Sequence, residues 1–304
     1  VSGLPLLLML YGGVGVFLLA LVFRTIKTAR LPLNLRWELA PVPHEKGKNR
    51  YGGSYFEEFE WWTKPRPKSR IRPLLYMAAE ILLLRGVWER NRGLWPFSFA
   101  FHTGIYFTAA MVFFLAAGAL LPFLAIPDAL SRIALDAAGV CAACAYLLGT
   151  AGSLGLLVRR IASFDLRIYS TPSAYFNLAL LTAAFASGGY AYIVTDSYAA
   201  EMSALAGAFF TASATAQVSP ELAPHLAVWM LFLVYLPFSS MSHFIVKFFS
   251  YHDIRWDDTP ALEDRRRSER MAAQLEAGVG WGAAHINAGD SKSWKEIAGE
   301  EGEQ

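Results

Sequence analysis

Apolar residues gather in five long runs along this chain, at about 3–23, 97–121, 134–158, 174–195 and 224–249, with polar and charged residues confined between them and after the last. A helix needs about 20 residues to cross the roughly 30 Å hydrocarbon core of a bilayer, and each run is long enough. The pattern predicts an all-α integral membrane bundle of five transmembrane helices. The first run, GLPLLLMLYGGVGVFLLALVF, has the look of a secretory leader. It is long for one, has no basic segment ahead of it and no small-x-small site behind it, so it reads as a retained first helix.

Composition agrees with this pattern. Of 304 residues, 55% are hydrophobic and only 17% charged, against about 25% charged in a soluble domain. The mean hydropathy is +0.33. The net charge of +2 matters less than where the charges lie. The segment 24–93 holds 15 of the 27 Lys and Arg, and Arg159, Arg160 and Arg167 follow in 159–173. Arg265–Arg267 add to the tail, whereas 122–131 and 196–223 contain none. Basic loops stay on the cytoplasmic side, so the expected orientation has the N-terminus outside and the C-terminus cytoplasmic, in the inner (cytoplasmic) membrane.

Four regions follow: a first transmembrane helix, 1–23; a basic cytoplasmic segment, 24–93; a membrane core of four helices, 94–250; and a cytoplasmic tail, 251–304. In the second region, Trp61 and Trp62 are expected at the membrane interface. LLYMAAEILLLRGVWERNRG (74–93) has an apolar stripe that predicts an interfacial amphipathic helix. Trp95-Pro96 opens the next span, where proline suits the first turn. The outer segment 196–223 has helix-like apolar spacing. The tail, with a late SWKEIAGE, reads as an extended or short-helix arm for a partner, or as a solvated segment.

The two cysteines, Cys141 and Cys144, form a C-A-A-C inside the third run. One such pair makes neither a zinc site nor a covalent haem site. An iron–sulfur cluster needs about four thiolates, so any cluster must sit on a partner. Gly149, Gly152 and Gly155 leave a strip without side chains on the same helix. It suits close helix packing or the approach of a flat cofactor.

Of six histidines, His44, His252 and His285 fall in cytoplasmic segments, and His102, His225 and His243 fall within spans. An ionisable side chain in a span is costly enough to mark a functional site. His102 lies about five residues into the second run and His243 about six from the cytoplasmic end of the fifth. These antiparallel helices therefore place two imidazoles at one depth, as a b-type haem in a bundle requires. Arg92, Lys247 and Arg70 lie on that side as candidate partners for the haem propionates. On an unbroken helix, His225 and His243 would share a face, 18 residues or about 27 Å apart, so they mark two stacked sites rather than one. Pro237 between them should bend the helix, and Ser239 and Ser240 can satisfy the freed backbone.

The run HLAVWMLFLVYLPFSSMSH (225–243) resembles the last helix of the respiratory nitrate reductase gamma subunit family. That family of cytochrome b subunits includes the membrane subunits of heterodisulfide reductase and of sulfate-reducer complexes. FHTGIY (101–106) is similar to the family's first haem-ligand motif, and LLVRR (156–160) and STPSAYFNLALL (170–181) match as well. The similarity covers about 95–250, and the 24–93 segment and tail look closest to the heterodisulfide-reductase branch.

The resemblance implies two b haems: an inner one on His102 and His243, and an outer one on His225 and a histidine ten residues after His102. That position is Val112 here. Three alternatives follow: the outer haem is absent, it is held by His225 with an unusual or missing second ligand, or His225 contacts a quinone. The implied function is electron transfer between the quinone (menaquinone) pool and a cytoplasmic Fe-S subunit, with His225, Asp196 and Glu201 as candidate proton-handling groups in the quinone region. The rival reading is a non-redox membrane anchor that recruits a cytoplasmic enzyme.

Overall fold

In a computed structural model of the protein, the described residues are 3–31, 57–65, 69, 71–124, 126–214, 217–254, 265–280 and 292–299. They are helical, with one isolated antiparallel bridge, Gly278 to Ser293, and no strand. The order is α1 (Gly3–Ala29), α2 (Ile71–Leu82), α3 (Arg85–Arg90), α4 (Trp95–Leu120), α5 (Asp128–Ala162), α6 (Phe164–Ile168), α7 (Pro172–Val194), α8 (Tyr198–Thr211), α9 (Leu222–Tyr235), α10 (His243–Ile254), α11 (Arg265–Leu275) and α12 (Trp294–Gly299). Four helices are long and apolar enough to cross a membrane: α1, α4 with its 3-10 extension to Leu124, α5 and α7. The broken pair Leu222–Phe238 and Ser240–Phe249 makes a fifth if its halves count as one span.

The chain divides into two compact units: Val1–Phe23 with Met77–Ser242, and Arg24–Tyr76 with His243–Gln304. The first is a helix bundle whose centre is built on α4, α5 and α7. Pro96 opens α4 and Pro172 opens α7, each in the first turn where no amide partner is lost. Asp128 at the start of α5 and Arg159 and Arg160 at its end complement the helix dipole.

The glycine strip settles how α4 and α5 approach. A Cβ on Gly104 would lie 2.6 Å from the Gly149 nitrogen, and one on Gly152 would lie 2.3 Å from the Phe101 nitrogen. A Cβ on Gly149 would meet the Phe185 ring, and one on Gly155 the Phe97 ring. The strip is thus filled by the α4 backbone and by phenylalanine rings. Of the two readings of the strip, close helix packing is the one found, since backbone and rings occupy the space a flat cofactor would need. Cys141 is buried in the same core, and both cysteines are unbonded.

Around this centre, α1 buries Leu6, Leu7, Leu10 and Gly13, with Gly13 against Met230 of α9. The Tyr11 ring packs at a tilt against Phe209 of α8, and its hydroxyl donates to the Phe209 carbonyl. The outward faces are apolar too: Leu19, Val112, Val140, Leu147 and Ile193 are exposed. Exposed apolar faces on these long helices are what lipid contact requires.

One expectation changes where the chain enters α4. The segment 74–93 is two helices rather than one, because Leu84 takes a left-handed conformation (φ 50°) between α2 and α3. Trp95 donates to the Leu83 carbonyl at 2.8 Å and Tyr106 donates to that of Ile81, which pins this corner onto α4. Trp61 and Trp62 form a short 3-10 turn, ring edge to ring face. In the other unit, the described part of the tail takes the short-helix form of the two expected: α11 and α12 are clasped by the Gly278–Ser293 bridge and a Lys295–Glu276 ion pair.

Candidate functional site

His102 sits on the second turn of α4, half-buried. Its Nδ1 lies 2.7 Å from the Ser98 carbonyl oxygen. A carbonyl can only accept, so Nδ1 carries the proton and Nε2 carries the lone pair. This is the tautomer a metal-ligating imidazole adopts, with its second nitrogen tied to the backbone.

His225, on the first turn of α9, is 2% exposed and lies in a buried polar cluster. Its Nε2 is 3.2 Å from the Tyr146 hydroxyl of α5, and its Nδ1 is 3.2 Å from the Ser187 hydroxyl of α7. Tyr146 is also hydrogen-bonded to Tyr198 of α8. Ser187 spends its one proton on the Ala184 carbonyl, at 3.0 Å, so it accepts from the Nδ1–H of His225. Nε2 must then accept the Tyr146 proton, and Tyr146 in turn accepts from Tyr198. Met111 of α4 completes the cluster, its sulfur 3.6 Å from the Tyr146 hydroxyl. Gly188 makes room for it: a Cβ there would sit 2.2 Å from the Tyr146 ring.

The helix is not continuous between His225 and His243. It ends at Tyr235 and passes through a 3-10 turn at Leu236–Phe238, an extended Ser239 and a second 3-10 turn at Ser240–Ser242. His243 then opens α10. The expected shared face of the two histidines rests on about 100° per residue along one helix, and that count does not carry across the break. Pro237 explains its place, since proline offers no N–H to continue the helix. Serines satisfy the interrupted backbone: Ser239 donates to the Leu236 carbonyl and accepts from the Met241 amide, and Ser242 donates to the Ser239 carbonyl at 2.8 Å. Ser240 instead accepts from the Asn177 amide at 3.2 Å, and Tyr235 donates to the Asn177 oxygen at 2.8 Å. Asn177, buried on α7, thereby holds both sides of the break.

The other candidates are spread more widely. Arg92 lies over the Trp88 ring, 4.9 Å from its centroid, just before α4. Lys247 is on α10, and Arg70 lies outside the described residues, as do His44 and His285. Asp196 is exposed in the turn between α7 and α8. Glu201 is engaged: the Ser219 amide and hydroxyl both donate to its Oε2 at 2.9 Å, so it fastens the chain leading into α9 to α8. Reading the sequence by its histidines missed Tyr146, Tyr198 and Ser187. Hydroxyl-bearing side chains inside apolar runs were the available signal for Tyr146 and Ser187; Tyr198, in the outer segment, carried none.

Among the described residues no three His, Cys, Asp or Glu side chains converge on one point, and a haem iron needs only two protein ligands. A family model described as nitrate reductase gamma subunit matches residues 88–256, more than half of the 304 residues. No curated protein and no solved structure matches the chain.

Proposed function

The chain belongs to the nitrate reductase gamma subunit family, whose members are membrane b-type cytochrome subunits in electron transfer, and from that premise we propose that it exchanges electrons between the quinone pool and a cytoplasmic iron–sulfur subunit through a haem b on His102 and His243. The observation that supports this reading is the Ser98–His102 hydrogen bond, which puts the proton on Nδ1 and the lone pair on Nε2, the tautomer a metal-ligating imidazole adopts. When bound, the haem supplies one-electron chemistry at a potential set by its ligands and burial. Arg92, Lys247 and Arg70 supply positive charge for its propionates. Asn177 hydrogen-bonds Tyr235 and Ser240 in the break that precedes His243.

The orientation with the N-terminus outside follows from the basic 24–93 segment, and it puts that segment and the tail on the side of the iron–sulfur partner. The inner membrane and a partner of the heterodisulfide-reductase type belong to the same proposal, as does the division into a first span, a basic segment, a haem-binding core and a tail. A reduced-minus-oxidised spectrum of the purified chain, expressed with ample haem, tests it. Haem b bands are expected, with their loss in His102→Ala and in His243→Ala. A colourless preparation overturns the proposal in favour of a non-redox anchor.

A further inference from the structure

We infer that the outer haem position is closed in this chain, and that the polar cluster around His225 stands in its place as a tie between four helices. The inference rests on the proposed function for the inner haem, and on residues of one compact unit for the outer site. The family resemblance implies an outer haem between His225 and the residue ten positions after His102. Neither side of that pair fits a haem here.

On the His225 side, the lone pair that would reach iron is on Nε2, and Nε2 accepts the Tyr146 hydroxyl proton at 3.2 Å. The other nitrogen is held by Ser187. On the α4 side, Val112 has no lone pair and is 56% exposed, so it faces away from the bundle. The inward position belongs to Met111, which is 4% exposed. A thioether can ligate haem iron opposite a histidine, but the Tyr146 hydroxyl lies against the Met111 sulfur as well as against His225. One phenol therefore stands between the two side chains that would have to share an iron.

The surroundings leave no slot for a porphyrin. A single methyl group on Gly188 would come within 2.2 Å of Tyr146 and 2.7 Å of His225, and Phe185 and Leu222 beside them are fully buried. Swinging Tyr146 aside would strip Tyr198 and His225 of their partners in an apolar interior, where unpaired polar groups are costly. Donor counting instead makes the chain Tyr198 to Tyr146 to His225 to Ser187 complete, each member satisfied. These residues come from α8, α5, α9 and α7, so the cluster ties four helices together, and the Met111 sulfur adds a contact from α4.

The haem-to-protein ratio of the purified full chain, measured as pyridine haemochrome, tests the inference. About one haem per chain is expected, with no change in ratio or in band shape for His225→Gln and complete loss for His102→Ala. A ratio near two, or halving of the haem in His225→Gln, overturns the closure and leaves the cytochrome reading standing. A ratio near zero in the unmodified chain overturns the cytochrome reading, and the single-haem assignment with it. The unmodified ratio decides the matter even if His225→Gln fails to fold.

Discussion

The His225 imidazole and the Tyr146 phenol meet at 3.2 Å inside the bundle, though 79 residues separate them in sequence. This contact gives His225 a role that needs no metal. The histidine is buried as a neutral acceptor, the phenol is oriented by Tyr198, and α5 and α9 are joined away from water.

Tyr146→Phe keeps the ring and removes the proton that His225 accepts. Leaving the buried Nε2 and the Tyr198 hydroxyl without their partner should destabilise the bundle by about 1–3 kcal/mol. Thermal unfolding in detergent will read the loss. A double cycle with His225→Asn should give a coupling of about 0.5–3 kcal/mol, whereas strict additivity would show that the two side chains do not interact.

The α4–α5 seam predicts a sharp contrast among glycines of one helix. Gly152→Ala drives a methyl into the Phe101 backbone, which cannot rotate away. Overpacking of this kind costs about 1–3 kcal/mol or more, and detergent-stable protein on size exclusion should fall accordingly. Gly139 on the same helix has nothing within 4 Å of a new Cβ. Gly139→Ala should therefore be neutral or gain up to about 1 kcal/mol from helix propensity.

Asn177→Leu removes the amide that holds Tyr235 and Ser240 on the two sides of the helix break. Lost stability of about 1–3 kcal/mol is expected from the stranded hydrogen-bond partners. Haem content should fall as well, because His243 follows the break directly. Unchanged haem bands in a destabilised variant would separate the break from the ligand.

Glu201→Ala strips the Ser219 amide and hydroxyl of their shared acceptor. Hydrogen bonds to a charged group contribute about 1.5–3 kcal/mol, so the melting temperature should drop. If Glu201 handled protons for a quinone instead, turnover with a quinol would fall while the melting temperature held.

In the tail, the Ser293 amide and hydroxyl donate to Glu296 and hold its carboxyl below the usual value of 4.5. A lowered carboxyl stabilises its fold above the ordinary value and loses that contribution as pH falls through the lowered one. Protection of the first α12 amides from exchange should therefore be full at neutral pH and fade below about pH 4.5. Glu296→Gln should lack this pH step, whereas Ser293→Ala keeps the amide donor and should only shrink it.

The long apolar runs told where membrane helices form, because crossing lipid demands some twenty apolar residues in a row and little else in a chain has that property. The family motif, the start of α4 at Trp95-Pro96 and a bend at Pro237 were legible for the same local reason. The facing of each helix was not. α4 is apolar on every side, so no hydrophobic stripe marks its inner face, and only the packed neighbours show that Met111 turns inward and Val112 outward.

The sequence by itself determined the all-α membrane class, the position of the spans and the cytochrome family, all of which follow from length, hydropathy and short-range motif. Only the tertiary structure decided that the glycine strip is a packing seam, that the helix between His225 and His243 is broken, and that Tyr146 meets His225. Each of those depends on close approach between helices far apart in the chain. In lipid that approach is chosen by shape and by hydrogen-bond partners, which a one-dimensional pattern of apolar residues does not record.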